Sequence, residues 1–379
     1  MDRPAKENPQ SESILADCSE LGGMGVAALP SRLDRYARAH SRALLMADYA
    51  VEQGEKKLAD KLRHCGHWLV FRNYYTIDTV RLHAADFCKK HLLCEFCAIR
   101  RGAKYLKAYL NKLHTVMPEH PGLKAYMVTL TVKDGPDLLE RFQHLRGAMM
   151  RMTQARRDYL HAPQKRRHVE FAKALGGVHS IENKRGAGSG LHHPHTHMVW
   201  LCHEAPDAEK LSQEWYGWTG DSYIVDVRPF HDQDDLVCGF MEVFKYAVKF
   251  SEMLPEDTWE AYKLLSGKRL VDSFGILRDV EVSEDLADDG VGDDLPYIEM
   301  FYRFMRGGYS LHKTVLVDDP APPLPKLPKA PAPAPVPGSK GYNPKDFAVA
   351  AAAHAARVRS DAARSAHASG TEESQKLLL

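Results

Sequence analysis

The chain of 379 residues carries 51 Lys/Arg against 50 Asp/Glu, for a net charge of +1, and is 44% hydrophobic and 27% charged. That balance excludes a collagen-like or wholly disordered chain and leaves room for one large domain or two modest ones with tails. No run of about 18 apolar residues occurs and the first residues lack the basic-then-apolar order of a signal peptide, so a cytoplasmic protein with no membrane partner is expected.

Residues 1–30 show no apolar periodicity and read as a disordered leader. Ser31 after Pro30 suits an N-cap, and Leu33, Tyr36, Ala37, Leu44 and Leu45 predict a helical segment over 31–60. Residues 61–115 form a Cys-rich module in which Cys65, Cys88, Cys94 and Cys97 follow a C-x22-C-x5-C-x2-C pattern. In a reducing compartment this pattern favours a metal over disulfides, and the last pair has the spacing that lets two thiolates reach one structural Zn²⁺. His64, His67, His83 or His91 could replace one of the thiolates. Cys18, Cys202 and Cys238 have no partners in sequence.

Charge is unevenly spread. Eleven Lys/Arg face three Asp/Glu between Lys61 and Thr115, and nine face two between Arg141 and Lys173, whereas Asp279 to Leu295 holds eight acidic residues and no base. Basic blocks of this size suit a polyanion such as nucleic acid. The helical stretch Ala98 to Leu113 would present Arg100, Arg101, Lys104 and Lys107 to DNA phosphate.

Residues 116–319 read as an α+β domain. Leu123 to Gly135 alternates like a strand and closes on an Asp-Gly turn signal, and Leu138 to Leu175 reads as helix broken near Pro163. "GGVHSIENKR" and "HPHTHMVWL" are two further strands joined by the Gly-rich "GAGSG". "DSYIVDVRPF" is another strand, and Leu236 to Phe250 a helix. Residues 320–379 read as linker and tail, because nine of the eighteen residues from Pro320 to Pro337 are proline and an alanine-rich stretch follows.

Strand residues two apart share a face, so His195 and His197 project together while Thr196 and Met198 face away. If "GAGSG" lets the two strands pair antiparallel, Glu182 stands beside them as a third, oxygen ligand. Two imidazoles and a carboxylate with open positions suit Mg²⁺, Mn²⁺ or Zn²⁺. His192 and His193 read as flanking residues. In "FMEVFKYAVKF", Glu242 and Tyr246 are four apart on one helical face, as are Lys245 and Lys249. A phenol titrating near 10 is a poor nucleophile at neutral pH, but a metal polarising the phosphodiester and lysines favouring phenolate could activate it.

In order, "YMVTLTV", "HPHTHMVWL" and "EVFKYAVK" resemble the three motifs of the HUH-superfamily rolling-circle plasmid replication initiators. The likeness is to the bacterial type with a single tyrosine and a glutamate four residues before it. "CKKHLLCEFCAIRRGAKY" and "GKRLVDSFGILRDV" fit the same family, so the resemblance spans roughly Lys61 to Val280. It implies a central antiparallel sheet with flanking helices, preceded by the zinc-binding Cys-rich module. It further implies a cytoplasmic bacterial protein that recognises plasmid origin DNA, double- and single-stranded, with a host helicase and polymerase as partners. His195 and His197 would hold Mg²⁺ or Mn²⁺, Tyr246 would attack phosphorus to leave a 5′-phosphotyrosyl link, and Glu242 would activate water in the closing cleavage. Lys249 would assist the tyrosine, and Lys245 would contact DNA. Thr196 departs from the bulky apolar residue the family prefers between the histidines, but it is β-branched and suits a strand. Other readings of the same residues are an HUH transposase or relaxase, and a zinc-bearing DNA-binding regulator whose HUH site is inactive.

Overall fold

The computed structural model describes residues 25–186, 188–231, 233–244, 253–291 and 295–317. Contacts divide the chain into Met1–Pro322 and Pro323–Leu379, and all described residues lie in the first unit. Most of the expected leader, all of the expected linker and tail, and residues 245–252 lie outside the described residues.

Helix α1 spans Leu29–Glu52, with Pro30 in its first turn, where a missing N–H breaks no helical hydrogen bond. Ser31 therefore sits inside the helix, not at its cap as its sequence position suggested. Helix α2 (Lys56–His64) follows, then a hairpin of β1 (Trp68–Tyr74) and β2 (Thr79–Ala85), and then α3 (Glu95–Val116). Strand β3 (Lys124–Thr131) precedes α4 (Leu138–His161), whose N-terminus is capped by the Asp137 carboxylate accepting from the Glu140 N–H at 2.9 Å. That helix stops just before Pro163, as the residue ahead of a proline resists the helical conformation. Then come β4 (Ala174–Arg185), β5 (His192–Cys202), α5 (Ala208–Thr219), β6 (Val225–Pro229), α6 (Gln233–Phe244), α7 (Pro255–Leu265), β7 (Val271–Gly275), β8 (Tyr297–Met305) and β9 (Gly308–Val317).

The strands form two antiparallel sheets, one ordered β6-β3-β5-β4-β7 and the other β2-β1-β8-β9. The architecture is α+β, as the sequence indicates, but the second sheet joins segments that the sequence separates: β8 and β9, from 116–319, complete a sheet begun in 61–115. One hydrophobic core runs from Leu29 and Tyr36 of α1 through Phe96 of α3 to Leu145 of α4 and Trp200 of β5.

Helices cover both faces of the five-stranded sheet. On one face Met198, Trp200 and Cys202 of β5 meet Phe142 and Leu145 of α4 and Trp215 of α5. On the other, Val199 and Leu201 meet Leu106, Tyr109 and Leu113 of α3 and Phe240, Val243 and Phe244 of α6. Trp200 is fully buried with its ring 4.8 Å from that of Phe171, and truncating such a side chain costs about 3–5 kcal/mol. This anchor fixes the register of β5, because a slip of one residue would turn His195 and His197 to the opposite face. Gly102 of α3 lets α6 approach closely: a Cβ there would lie 3.1 Å from the Phe244 carbonyl oxygen.

Candidate functional site

Strand β5 lies between β3 and β4, and the register sets Glu182 and Thr131 opposite His195, and Ser180 and Thr129 opposite His197. Directly opposed residues project to the same face. Glu182, His195 and His197 therefore converge on the α3/α6 face, with one possible ligand atom from each lying within 4.8 Å of the others. The Glu182 Oε2 atom is 3.0 Å from His195 Nε2 and 3.5 Å from His197 Nε2. Glu182 and His195 are buried, and the His197 side chain is 13% exposed.

The outer hydrogen bonds of the two rings orient them. His195 Nδ1 donates to the His193 carbonyl at 3.1 Å, which leaves Nε2 as the lone-pair nitrogen of the neutral ring. Burial lowers the His195 pKa, against the raising effect of Glu182, so that ring is neutral at physiological pH. A lone pair and a carboxylate oxygen thus face each other in the interior, an arrangement that a bound cation would satisfy. His197 Nδ1 is held by the Thr129 hydroxyl at 3.0 Å. Two ligands about 2.1 Å from an ion and at right angles are about 3.0 Å apart, so the donor set fits a divalent cation.

Helix α6 contributes Glu242, whose carboxylate is 3.7 Å from His197 Nε2 and partly open to solvent. Docking of Phe240, Val243 and Phe244 against α3 and the sheet holds Glu242 above the histidines. Tyr246, Lys245 and Lys249 lie outside the described residues; Tyr246 follows Glu242 by four positions in the sequence. The other two histidines of the run have structural partners. Buried His192 contacts Asn183 at 3.1 Å, and His193 hydrogen-bonds Asp134.

The second constellation is sulfur. Cys65 follows α2, Cys88 lies in the loop after β2, Cys94 caps α3 and Cys97 sits in its first turn. Their Sγ atoms are 3.4 Å apart for Cys65 and Cys97, 3.7 Å for Cys88 and Cys97, and 3.5 Å for Cys94 and Cys65. Thiolates 2.3 Å from a tetrahedral zinc stand about 3.8 Å apart, close to these spacings. The Cys88 N–H donates to Cys65 Sγ at 3.3 Å. Hydrogen bonds from the three neighbouring thiols hold Cys88 far below the usual thiol range, while contacts with Cys88 and Cys97, with burial, push Cys65 and Cys94 far above it. Only if all four lost their protons would the cluster need a compensating cation. No histidine joins this set among the described residues.

The expected DNA-binding face of α3 requires a correction. Arg100 is 1% exposed, and its guanidinium donates to Asp288 at 2.6 Å, to the Tyr36 hydroxyl at 3.1 Å and to the Leu286 carbonyl at 2.8 Å. It joins Arg32 around one buried carboxylate and cannot reach a DNA backbone. Lys104 is buried against Asp289 at 2.6 Å, and Lys107 is paired with the same carboxylate. Asp288 and Asp289 of the acidic stretch thus neutralise Arg100, Lys104 and Lys107. Of the four, Arg101 lines an open cavity. The sequence reading did not single out Thr129 or Asp288; Asp288 sits in an acidic run that a simple charge count treats as one block.

These geometries can be set beside known proteins. The model of the Rep_1 family, described as replication protein, matches residues 79–299, more than half of the chain and a range that includes Cys88, Cys94, Cys97, Glu182, both paired histidines and Glu242. "Protein rep" of Streptococcus pneumoniae serotype 2 (strain D39 / NCTC 7466) is 25% identical over 268 residues, covering 66% of this chain and 80% of the relative. "Protein rep" of a Bacillus species is 24% identical over 270 residues, covering 62% of this chain and 84% of the relative. No solved structure matches the chain. Among the described residues no helix is long and apolar enough to cross a membrane. With the matched range covering more than half of the chain, the whole Glu182, His195 and His197 constellation with its sheet, and three of the four clustered cysteines, the chain belongs to the Rep_1 family of replication proteins.

Proposed function

We propose that this chain initiates rolling-circle replication of a plasmid by nicking one strand of the origin, with Tyr246 as nucleophile, and that it has the fold of the HUH endonucleases. The observation that carries the reading is the convergence of Glu182, His195 and His197 on one sheet face with Glu242 3.7 Å from His197. Glu182, His195 and His197 would hold Mg²⁺ or Mn²⁺, which when bound polarises the scissile phosphate and stabilises charge on its oxygens. Thr129 and the His193 carbonyl fix the imidazoles, the outer support that keeps ligand nitrogens aimed inward.

In the nicking step the Tyr246 phenolic oxygen bonds to phosphorus and the P–O3′ bond breaks. The phenolic proton leaves to a nearby base, and the departing 3′ oxygen gains one. The products are a 5′-phosphotyrosyl link and a 3′-OH that primes synthesis by the host polymerase, with a host helicase opening the duplex. Because the link conserves the phosphodiester, ends can be rejoined without a nucleotide cofactor. Lys249 favours the phenolate, and Lys245 contacts the DNA backbone. In the closing reaction Glu242 takes a proton from water as that water attacks phosphorus. Zn²⁺ held by Cys65, Cys88, Cys94 and Cys97 ties α2, the β2 loop and α3 together.

The test is incubation of the intact protein with labelled single-stranded origin DNA and Mg²⁺ or Mn²⁺, resolved on a denaturing gel beside Tyr246→Phe. A metal-dependent covalent band that vanishes in the variant supports the reading. Origin binding without cleavage in any divalent metal would favour a regulator with an inactive site.

A further inference from the structure

The motif "GKR" at Gly267 to Arg269 plays no part in the chemistry above, yet it forms one wall of a cavity of about 530 Å³. Lys268 and Arg269 come from the turn between α7 and β7, where Gly267 adopts a φ of +75° and the Lys268 N–H donates to the Leu265 carbonyl at 3.0 Å. The opposite wall carries Lys89 and Lys90, which directly follow Cys88 of the sulfur cluster, and Arg101 of α3. Lys89 sits in the left-handed region at a φ of +57°, an unusual conformation for a side-chain-bearing residue. The Leu93 and Cys94 N–H groups fix the Lys90 carbonyl at 2.8 and 2.7 Å.

Five cations thus face one cleft, and none of its described lining residues is a carboxylate. Among the described residues no ion pair reaches Lys89, Lys90 or Lys268. This sets them apart from Lys104 and Lys107, which Asp289 already neutralises. Tyr105 and Tyr262 add aromatic surface to the same walls. A second cavity, of about 550 Å³, shares Arg101, Tyr105, Arg269 and Val271 with the first, but Asp272, Asp279 and Glu284 line it, so the anion-attracting end is the first cavity.

The cleft also stands in register with the histidines. Val271 pairs with Ser180, and Ser180 pairs with His197, on the same sheet face. Two strand spacings separate them, about 10 Å, or one to two nucleotides of extended single strand.

We propose that this cleft, between the sulfur cluster and the β7 edge, is the track for the single-stranded DNA flank on one side of the scissile phosphate. Lys89, Lys90, Arg101, Lys268 and Arg269 bind its phosphates. The inference rests on the nicking reading for its orientation, but it concerns binding and is tested as binding. A concave, cation-lined cleft with aromatic walls suits a flexible single strand better than a rigid duplex.

The test uses the full chain and a fluorescein-labelled single-stranded origin oligonucleotide, with anisotropy read across a salt series. Lys268→Glu/Arg269→Glu changes one half-buried and one exposed side chain, the latter also paired with Asp272 at 3.3 Å. It is expected to weaken binding tenfold or more and to flatten the slope of log K against log salt by about 1.4, from two single-strand phosphate contacts at about 0.7 each. Lys89→Gln/Lys90→Gln, on the other wall, should act in the same direction. Shortening the oligonucleotide on one side of the nick should weaken wild-type binding yet barely affect the charge-reversed variant, since the same contacts cannot be lost twice. Unchanged affinity and slope in both variants, or a loss confined to duplex DNA, would overturn the proposal. Wild-type protein that binds but forms no covalent adduct sinks the nicking reading and leaves the cleft standing. Adduct formation with variant binding unchanged does the reverse.

Discussion

Glu182 of β4 and His195 of β5 face each other across paired strands, with Oε2 and Nε2 3.0 Å apart and both side chains buried. His195 has committed its Nδ1 proton to a backbone carbonyl, so the facing nitrogen offers a lone pair to a carboxylate. A divalent cation between them would be held by both. Glu182→Gln keeps the shape and removes the negative charge. It is expected to lower divalent-metal affinity by tenfold or more and to slow cleavage at limiting Mn²⁺, with partial recovery at high metal. Calorimetric Mn²⁺ titration checks it; unchanged affinity would remove Glu182 from the ligand set.

Thr129 would act on a bound ion only through His197, whose ring it holds. Thr129→Val deletes the hydroxyl 3.0 Å from Nδ1 and frees the ring to turn. The expected effect is a roughly 10- to 100-fold loss in metal affinity or activity, typical of lost outer hydrogen bonds. Thr129→Ser should restore most of it. If Val and Ser behave alike, the hydroxyl does not position the ring.

The sulfur cluster carries a separate expectation. One zinc per chain should be found by native mass spectrometry, and a strong chelator or Cys97→Ser should lower the unfolding temperature sharply, because binding at such a site is part of the folding free energy. A protein that contains no zinc and melts identically with chelator would make these four cysteines ordinary buried thiols.

Arg100 and Lys107 lie on the same helix but should respond differently to truncation. Arg100→Ala leaves Asp288 buried with one cation fewer and should cost about 3–5 kcal/mol of stability in urea unfolding. Its effect on the salt dependence of DNA binding, measured where the variant is folded, should be nil. A flattened salt slope with normal stability would return Arg100 to the DNA interface.

Asp289 gives a pH signature. Burial would raise its carboxyl pKa, but hydrogen bonds from Lys104 and Lys107 outweigh that and hold it at about 2. A folded value below the unfolded one stabilises above the ordinary carboxylate range, and that contribution fades as pH falls toward 2. Its side chain is 48% exposed, so screening keeps the contribution under about 1 kcal/mol. Asp289→Asn should therefore be slightly less stable than wild type at pH 7 and indistinguishable at the acid end. Freed lysines should also steepen the salt dependence of DNA binding. A variant more stable at pH 7 would contradict the pairing.

Parts of both constellations were legible because they are local patterns on regular elements. An H-x-H in a strand, a carboxylate on the strand before it and a Cys-x2-Cys at a helix start need only the periodicities of 2 and 3.6 and one antiparallel pairing. Arg100 was misread because its partner lies 188 positions away, and a charge count along the chain cannot see pairing across it. The hairpin of β1 and β2 and its union with β8 and β9 were also missed. Strand β9 is largely exposed and shows little alternation, and the pairing of β1 with a strand more than 200 positions away is a tertiary fact. The Lys89–Arg269 cleft escaped for the same reason, since its walls are about 180 residues apart in sequence.

On the nicking reading Tyr246 is the nucleophile that attacks phosphorus and carries the cleaved strand. The most direct measurement is peptide mass spectrometry of the covalent adduct formed with a short origin oligonucleotide in Mn²⁺. The expected result is a nucleotide mass on the peptide containing Tyr246, absent without metal. An adduct on another residue, such as the exposed Tyr223, or cleavage that leaves no adduct on any peptide, would contradict it.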